Sequence, residues 1–142
     1  MKSARFYNKF DLRVEDLPEP QVGENDVLIK VHACGICGTD MHIFDGDEGA
    51  AATPSGTVLG HEFVGEVIET GSAVKKFKKG DRVIVYHISG CGVCYDCRRG
   101  YYISCKSRHR AAYGWQRNGG MSPYMLCDEK DLIALPDELS YE

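Results

Sequence analysis

Between Cys91 and Cys105 the chain carries four cysteines, with Cys94 and Cys97 between them, in the pattern Cys-x2-Cys-x2-Cys-x7-Cys. No other stretch restricts the fold as tightly. Residues 88 to 112 hold too few aliphatic side chains to fold on hydrophobic burial alone, so something else must hold them. Four thiolates complete the closed tetrahedral shell of a structural zinc and leave no open position for chemistry. Zinc binding on the order of 10 kcal/mol replaces the missing core, and Gly90, Gly92 and Gly100 permit tight wrapping. The bland alternative, coincidental thiols in a reactive loop, leaves the folding of this segment unexplained. Seven cysteines is an odd number, and Met1-Lys2-Ser3-Ala4-Arg5 leads into no apolar signal core. A disulfide framework is therefore the poorer reading, and metal ligation the better one.

A second donor set is dispersed. Gly60-His61-Glu62 places an imidazole beside a carboxylate, and Cys37 and Thr39 lie 24 and 22 residues before His61. Soft sulfur, imidazole nitrogen and carboxylate oxygen together suit zinc better than magnesium or calcium, which prefer oxygen alone. A metal with an open position lowers the pKa of a bound hydroxyl, so that an alkoxide forms near neutral pH, as dehydrogenation of an alcohol requires. Thr39 can bring its hydroxyl beside the substrate, His42 can carry the proton toward solvent, and Asp40 can orient a ligand imidazole. Glu62 either binds the metal directly or sits just behind it. Adjacent strand residues point opposite ways, so His61 and Glu62 can share a metal only if the backbone bends there. Taken singly, Thr39 and Asp40 are common turn residues, His42 a surface imidazole and Glu62 a solvated charge. Together, and beside a separate zinc lobe, the functional reading outweighs these.

The 142 residues, 43% apolar and 27% charged, suit one globular domain. Net charge of -4 and a pI near 5.7 argue against a dedicated nucleic-acid binder. No run reaches transmembrane length, and a cytoplasmic location is expected. The pattern is mainly β. Two strands joined by a turn are predicted between Ala4 and Leu17, closed by Pro18 and Pro20. Asp26 to Cys34 reads as a strand, with Val27, Ile29, Val31 and Ala33 opposed to Leu28, Lys30 and His32. A glycine loop follows to Asp40, then one helical turn from Met41 to Phe44. Asp45 to Gly56 is a loop carrying Asp45, Asp47 and Glu48, which favours a polyol or an ammonium group, although such loops are usually just solvated. Further strands are predicted at Phe63–Glu69, Asp81–Tyr86, Ser122–Cys127 and Leu132–Leu135, with a basic turn at Lys75–Lys79. From Pro136 the pattern reads as a turn and a helix cap. Tyr113 and Trp115 either line a cleft or pack in the core.

The lobe has a rival reading. Arg98, Arg99, Lys106, Arg108, Arg110 and Arg117, with Tyr101, Tyr102 and Tyr113 among them, suggest a zinc module that contacts nucleic acid or a protein partner. Zinc ribbons, however, pair two Cys-x2-Cys knuckles across 15 to 20 residues, and this pattern is one compact loop. A solvated basic face is the simpler account, and attraction of an anionic substrate or phosphate a third.

Cys34-Gly35-Ile36-Cys37-Gly38-Thr39-Asp40, then Gly60-His61-Glu62-x2-Gly65-x5-Gly71-x2-Val74, then the four-cysteine lobe, closely resemble the zinc-dependent medium-chain dehydrogenase/reductase family of alcohol, sorbitol and threonine dehydrogenases. The resemblance implies a GroES-like β-barrel catalytic domain with a protruding zinc-binding lobe at about 88–112. It assigns Cys37, His61 and Glu62 to a catalytic zinc, Thr39 and His42 to a proton relay, and Cys91, Cys94, Cys97 and Cys105 to a structural zinc. It also implies a small alcohol or polyol substrate, NAD or NADP, and a homodimer or homotetramer for the full-length protein. A Rossmann domain and a further zinc ligand, or an acid behind the site, are expected after residue 142. No Gly-x-Gly-x-x-Gly follows a strand in this chain, so residues 1–142 read as a first domain that is inactive alone. One departure stands out: members usually show Gly-Gly-x-Ala-Glu-Tyr where this chain has Gly119-Gly120-Met121-Ser122-Pro123-Tyr124.

Overall fold

The computed structural model describes residues 1–47, 53–107 and 111–142. Strands β1 (Lys2–Asn8) and β2 (Asp11–Asp16) form the hairpin expected near the N-terminus, turning through Phe10 in a left-handed conformation, φ 61°. Strand β3 (Asp26–Gly35) leads into helix α1 (Gly38–Asp45), which is eight residues long where one turn was predicted. A two-residue strand, β4 (Thr57–Val58), escapes the sequence pattern because it is too short to show alternation. Then come β5 (Glu62–Thr70), β6 (Arg82–Val85), β7 (Ile88–Ser89), β8 (Ala111–Ala112), β9 (Tyr124–Asp128) and β10 (Leu132–Ala134).

The described residues form three sheets. β2-β1-β4 has three strands, β10-β6-β5-β3-β9 has five, and β7-β8 is a separate pair. β3 is antiparallel to both β5 and β9, which makes it the spine. Its Val27 and Ile29 are fully buried with Phe63, Val67, Val83 and Tyr113. Leu28 is buried as well, because the β3–β5 register shifts between Leu28 and Ile29 and breaks the simple alternation. A second cluster, Phe6, Ile43 and Leu59 with Trp115 and Met121 against it, ties α1 to the hairpin. Among the described residues, no helix is long and apolar enough to cross a membrane.

Residues 136–142 form the expected turn, with the Leu139 amide donating to the Pro136 carbonyl at 3.2 Å, and no helix begins within them. The Arg82 guanidinium donates to the carbonyls of Pro136 and Asp137, each at 3.2 Å, and to that of Leu139. Of the two fates open to Tyr113, core packing is the one found. It is wholly buried, its hydroxyl donating to Asp131 Oδ2 at 3.2 Å and accepting the Asp128 amide at 2.9 Å.

Candidate metal centre

The first donor arises where β3 gives way to α1. Cys37 is the N-cap: its sulfur accepts the Thr39 amide at 3.3 Å, and its own amide donates to Asp40 Oδ2 at 3.0 Å. This reciprocal cap holds Cys37 and Asp40 in fixed relation. The second donor pair is placed by backbone. Gly60 sits at φ 88°, a conformation costly for other residues, and a Cβ there would lie 2.5 Å from Cys34 Sγ. The segment after Asn118 runs alongside, with the amides of Gly119, Gly120 and Met121 donating to Val58, Gly60 and Leu59 at 2.8, 2.7 and 2.9 Å. A Cβ on Gly119 would meet the Gly60 carbonyl at 2.0 Å, so this approach needs glycine. His61 therefore stands just before β5, and Glu62 opens it. The bend required for neighbouring residues to share a centre is present.

Cys37 Sγ lies 2.9 Å from His61 Nε2, and the donor atoms of Cys37, His61 and Glu62 are all within 4.8 Å of one another. The other imidazole nitrogen, Nδ1, faces Asp40 Oδ1 at 3.6 Å. Both of these atoms are buried without a hydrogen-bond partner. A metal on Nε2 fits this environment: it fixes the tautomer that puts a proton on Nδ1, and the Asp40 carboxylate is the natural acceptor behind it. Cys34 is close but stands outside the donor set formed by Cys37, His61 and Glu62; burial first, then the charges of Asp40 and Glu62, push its thiol up to about 11.

Thr39 and His42 are three residues apart on α1 and so project from one side of it. His42 is exposed, and its Nδ1 engages Asp47 Oδ2 at 2.6 Å rather than the Thr39 hydroxyl. Asp47 is thus paired with an imidazole instead of standing open in an acidic loop. Glu48 lies outside the described residues. A residue that the sequence reading missed is His87, whose ring centroid is 5.3 Å from that of His61. Burial, and then His61, lower its pKa. A single histidine between a strand and the lobe carries no spacing signal, so only the fold brings it to the centre.

The lobe closes where it was expected to. β7 and β8 pair Ile88 with Ala112 and Ser89 with Ala111 at its base. Cys91 and Cys97 sulfurs are 4.0 Å apart, and those of Cys94 and Cys105 are 3.9 Å apart. A zinc–sulfur length of about 2.3 Å gives a tetrahedron with edges of about 3.8 Å, so the four thiols fit zinc. All seven cysteines are free. Backbone amides lower Cys91, through Val93 and Cys94, and Cys105, through Cys91 and Ser107, which favours thiolates. Burial pushes Cys97 up to about 12, so this sulfur needs the cation most. Pairing with barrel residues anchors the lobe, as Lys130 Nζ donates to Ser89 Oγ at 2.6 Å and to Asp131 Oδ2 at 3.0 Å.

Of the basic residues around the cysteines, Arg98, Arg99 and Lys106 are exposed. Arg117 turns inward, its guanidinium 3.5 Å from the Tyr113 ring centroid and paired with Asp128 and Asp131 at 3.1 and 3.4 Å. Arg99 lies over the rings of Tyr95 and Tyr101. Arg108 and Arg110 are outside the described residues.

A family profile described as the alcohol dehydrogenase GroES-like domain matches residues 23–137. The chain belongs to this family. The GroES-like domain here is 52% identical over 138 residues to an uncharacterized zinc-type alcohol dehydrogenase-like protein, YphC, of Escherichia coli, covering 93% of this chain and 38% of that protein. It is 45% identical over 130 residues to the D-arabitol-phosphate dehydrogenase of Enterococcus avium, covering 89% and 35%. Galactitol-1-phosphate dehydrogenase from Escherichia coli superposes with a TM-score of 0.88 at 29% identity, over 99% of this chain and 40% of that one. The domain thus spans about two fifths or less of the relatives it matches. The expected mainly β GroES-like fold and the resemblance to zinc-dependent dehydrogenases are both borne out.

Proposed function

We propose that this chain is the metal-binding catalytic domain of a cytoplasmic zinc-dependent dehydrogenase, which oxidises a secondary alcohol of polyol type with reduction of NAD or NADP. The observation that carries it is the meeting of Cys37, His61 and Glu62, from segments 24 residues apart, with the Asp40 carboxylate behind His61. A zinc ion there supplies Lewis-acid polarisation of a substrate hydroxyl. Balance requires that the carbinol carbon give a hydride to the nicotinamide while the hydroxyl proton leaves for solvent.

Chain residues account for that proton. The Thr39 hydroxyl, in the first turn of α1, would accept it while releasing its own proton, and His42, one turn on and exposed, would take up the released proton through intervening solvent and pass it outward. Asp47 holds Nδ1 of His42, leaving Nε2 for exchange. Cys37, capping α1, and His61, fixed by Asp40, are held rigidly enough to act as ligands, and Glu62 completes the set directly or from behind. The polyol class is supported by the D-arabitol-phosphate and galactitol-1-phosphate dehydrogenases among the similar proteins. The nicotinamide site and any further ligand belong to a part of the protein beyond residue 142.

The test uses full-length protein. Wild type should hold two zinc ions per chain and form NADH or NADPH with a panel of polyols and their phosphates. Cys37→Ser should lose one zinc and turnover, while the lobe zinc and the melting transition persist. Retained turnover in that variant would sink the assignment.

A further inference from the structure

We infer that the buried pair Asp131 and Tyr113 positions the metal centre, through the bond from the Tyr113 hydroxyl to the Asp131 carboxylate. Asp131 is 5% exposed, Tyr113 is wholly buried, and neither belongs to the donor set of Cys37, His61 and Glu62. A carboxylate so deeply buried is costly unless its oxygens are partnered. Lys130 Nζ donates to Oδ1 at 3.1 Å and to Oδ2 at 3.0 Å, and Oδ2 also takes Arg117 at 3.4 Å and the Tyr113 hydroxyl at 3.2 Å. Arg117 closes the cluster by lying over the Tyr113 ring. With both carboxylate oxygens partnered, the cluster is rigid and holds Tyr113 in one place.

Two short paths lead from this pair to the metal ligands. On the first, the Asp131 carbonyl accepts the Tyr86 amide at 2.8 Å, and the Tyr113 amide donates to the His87 carbonyl at 3.1 Å. Tyr86 and His87 are thereby gripped by two residues whose side chains are bonded to each other, and the His87 ring lies 5.3 Å from that of His61. On the second, Gly114 follows Tyr113 and lies directly against the Gly60–His61 peptide. A Cβ on Gly114 would meet the Gly60 carbonyl and come within 2.8 Å of His61 N. The Tyr113 ring also meets Phe63, two residues beyond His61, edge-on at 6.2 Å. A shift of Tyr113 therefore displaces His61, because close-packed groups transmit strain. Without the hydroxyl bond, Tyr113 is free to make that shift. This inference rests on the proposed function in requiring a metal on Cys37, His61 and Glu62.

The readout is visible absorption of full-length protein carrying cobalt at this centre and zinc in the lobe, since cobalt bands follow donor geometry. Tyr113→Phe keeps the ring and removes only the hydroxyl. It should shift the cobalt bands and weaken cobalt binding about 10-fold, the low end of what a partner directly behind a ligand contributes. Asp131→Asn removes the charge but keeps an oxygen for the hydroxyl, so it should lower the melting temperature and leave bands and affinity near wild type. Val67→Ala, a core cavity away from both paths, serves as the control for lost stability alone. Unchanged bands and affinity in Tyr113→Phe would overturn the inference. Equal changes in Val67→Ala, or in Asp131→Asn, would also overturn it, assigning the effect to general loosening or to charge. Each of these results leaves the proposed function standing, whereas wild-type protein that takes no cobalt at Cys37, His61 and Glu62 would remove both.

Discussion

Replacing Asp40 with Asn separates two jobs that one side chain performs. Oδ2 accepts the Cys37 amide at 3.0 Å, and Oδ1 faces His61 Nδ1 at 3.6 Å. An asparagine can keep its oxygen on the Cys37 amide, but its NH2 must then face Nδ1. Donor against donor forces the proton to Nε2, the nitrogen aimed at Cys37 Sγ, and removes the lone pair a metal needs. Losing such a partner typically weakens metal binding 10- to 100-fold, about 1.4 to 2.7 kcal/mol. The helix cap survives in Asp40→Asn, so the melting temperature of the metal-free protein should change little. Asp40→Ala should lose the cap as well, about 1 kcal/mol more. The assay is competition for zinc against a chromophoric chelator in the full-length protein, with the lobe zinc as an internal reference. Unchanged zinc affinity in Asp40→Asn would show that Asp40 serves only as a cap, and would refute the argument.

Three further outcomes are expected. Cys97→Ser should cost one tightly held zinc and make residues 88–112 the first site of protease cleavage, because binding on the order of 10 kcal/mol stands in for a core there; a lobe that stays resistant would contradict this. Gly60→Ala should lower stability by about 2–4 kcal/mol in urea titration, combining left-handed strain with overpacking against Cys34, and a shift under half of that would mean the loop relaxes freely. Glu129 accepts the backbone amides of Lys76 and Lys75, which lower its pKa. A carboxyl depressed in the folded state contributes stability above its unfolded value, near 4.3, and loses it as pH falls through the folded value. Glu129→Gln should therefore lose stability at neutral pH and converge on wild type in acid; parallel curves would reject that linkage.

Much of this domain was legible in its residues, and the reasons are local. The lobe announced itself because four thiols within fifteen residues permit few arrangements other than a closed metal shell. β3 and β5 were readable from alternation and bounding glycines, and Cys37, Asp40 and His61 from donor chemistry beside glycine loops. What failed depended on partners far away in sequence. β4 exists only because β1 pairs with it, and Arg82 reaches the tail carbonyls from β6, 54 residues earlier. Arg117 left its expected basic face for Tyr113 and Asp131, and His87 reached His61 only because β6 delivers it there. Sequence by itself determined which atoms can bind a metal and which segments can be strands, since donor type and period are properties of single residues and short runs. Tertiary structure alone decided that the backbone bends at Gly60 to bring His61 and Glu62 to Cys37. That bend depends on Gly119 lying against the Gly60 carbonyl, a contact across 59 residues that no local pattern encodes.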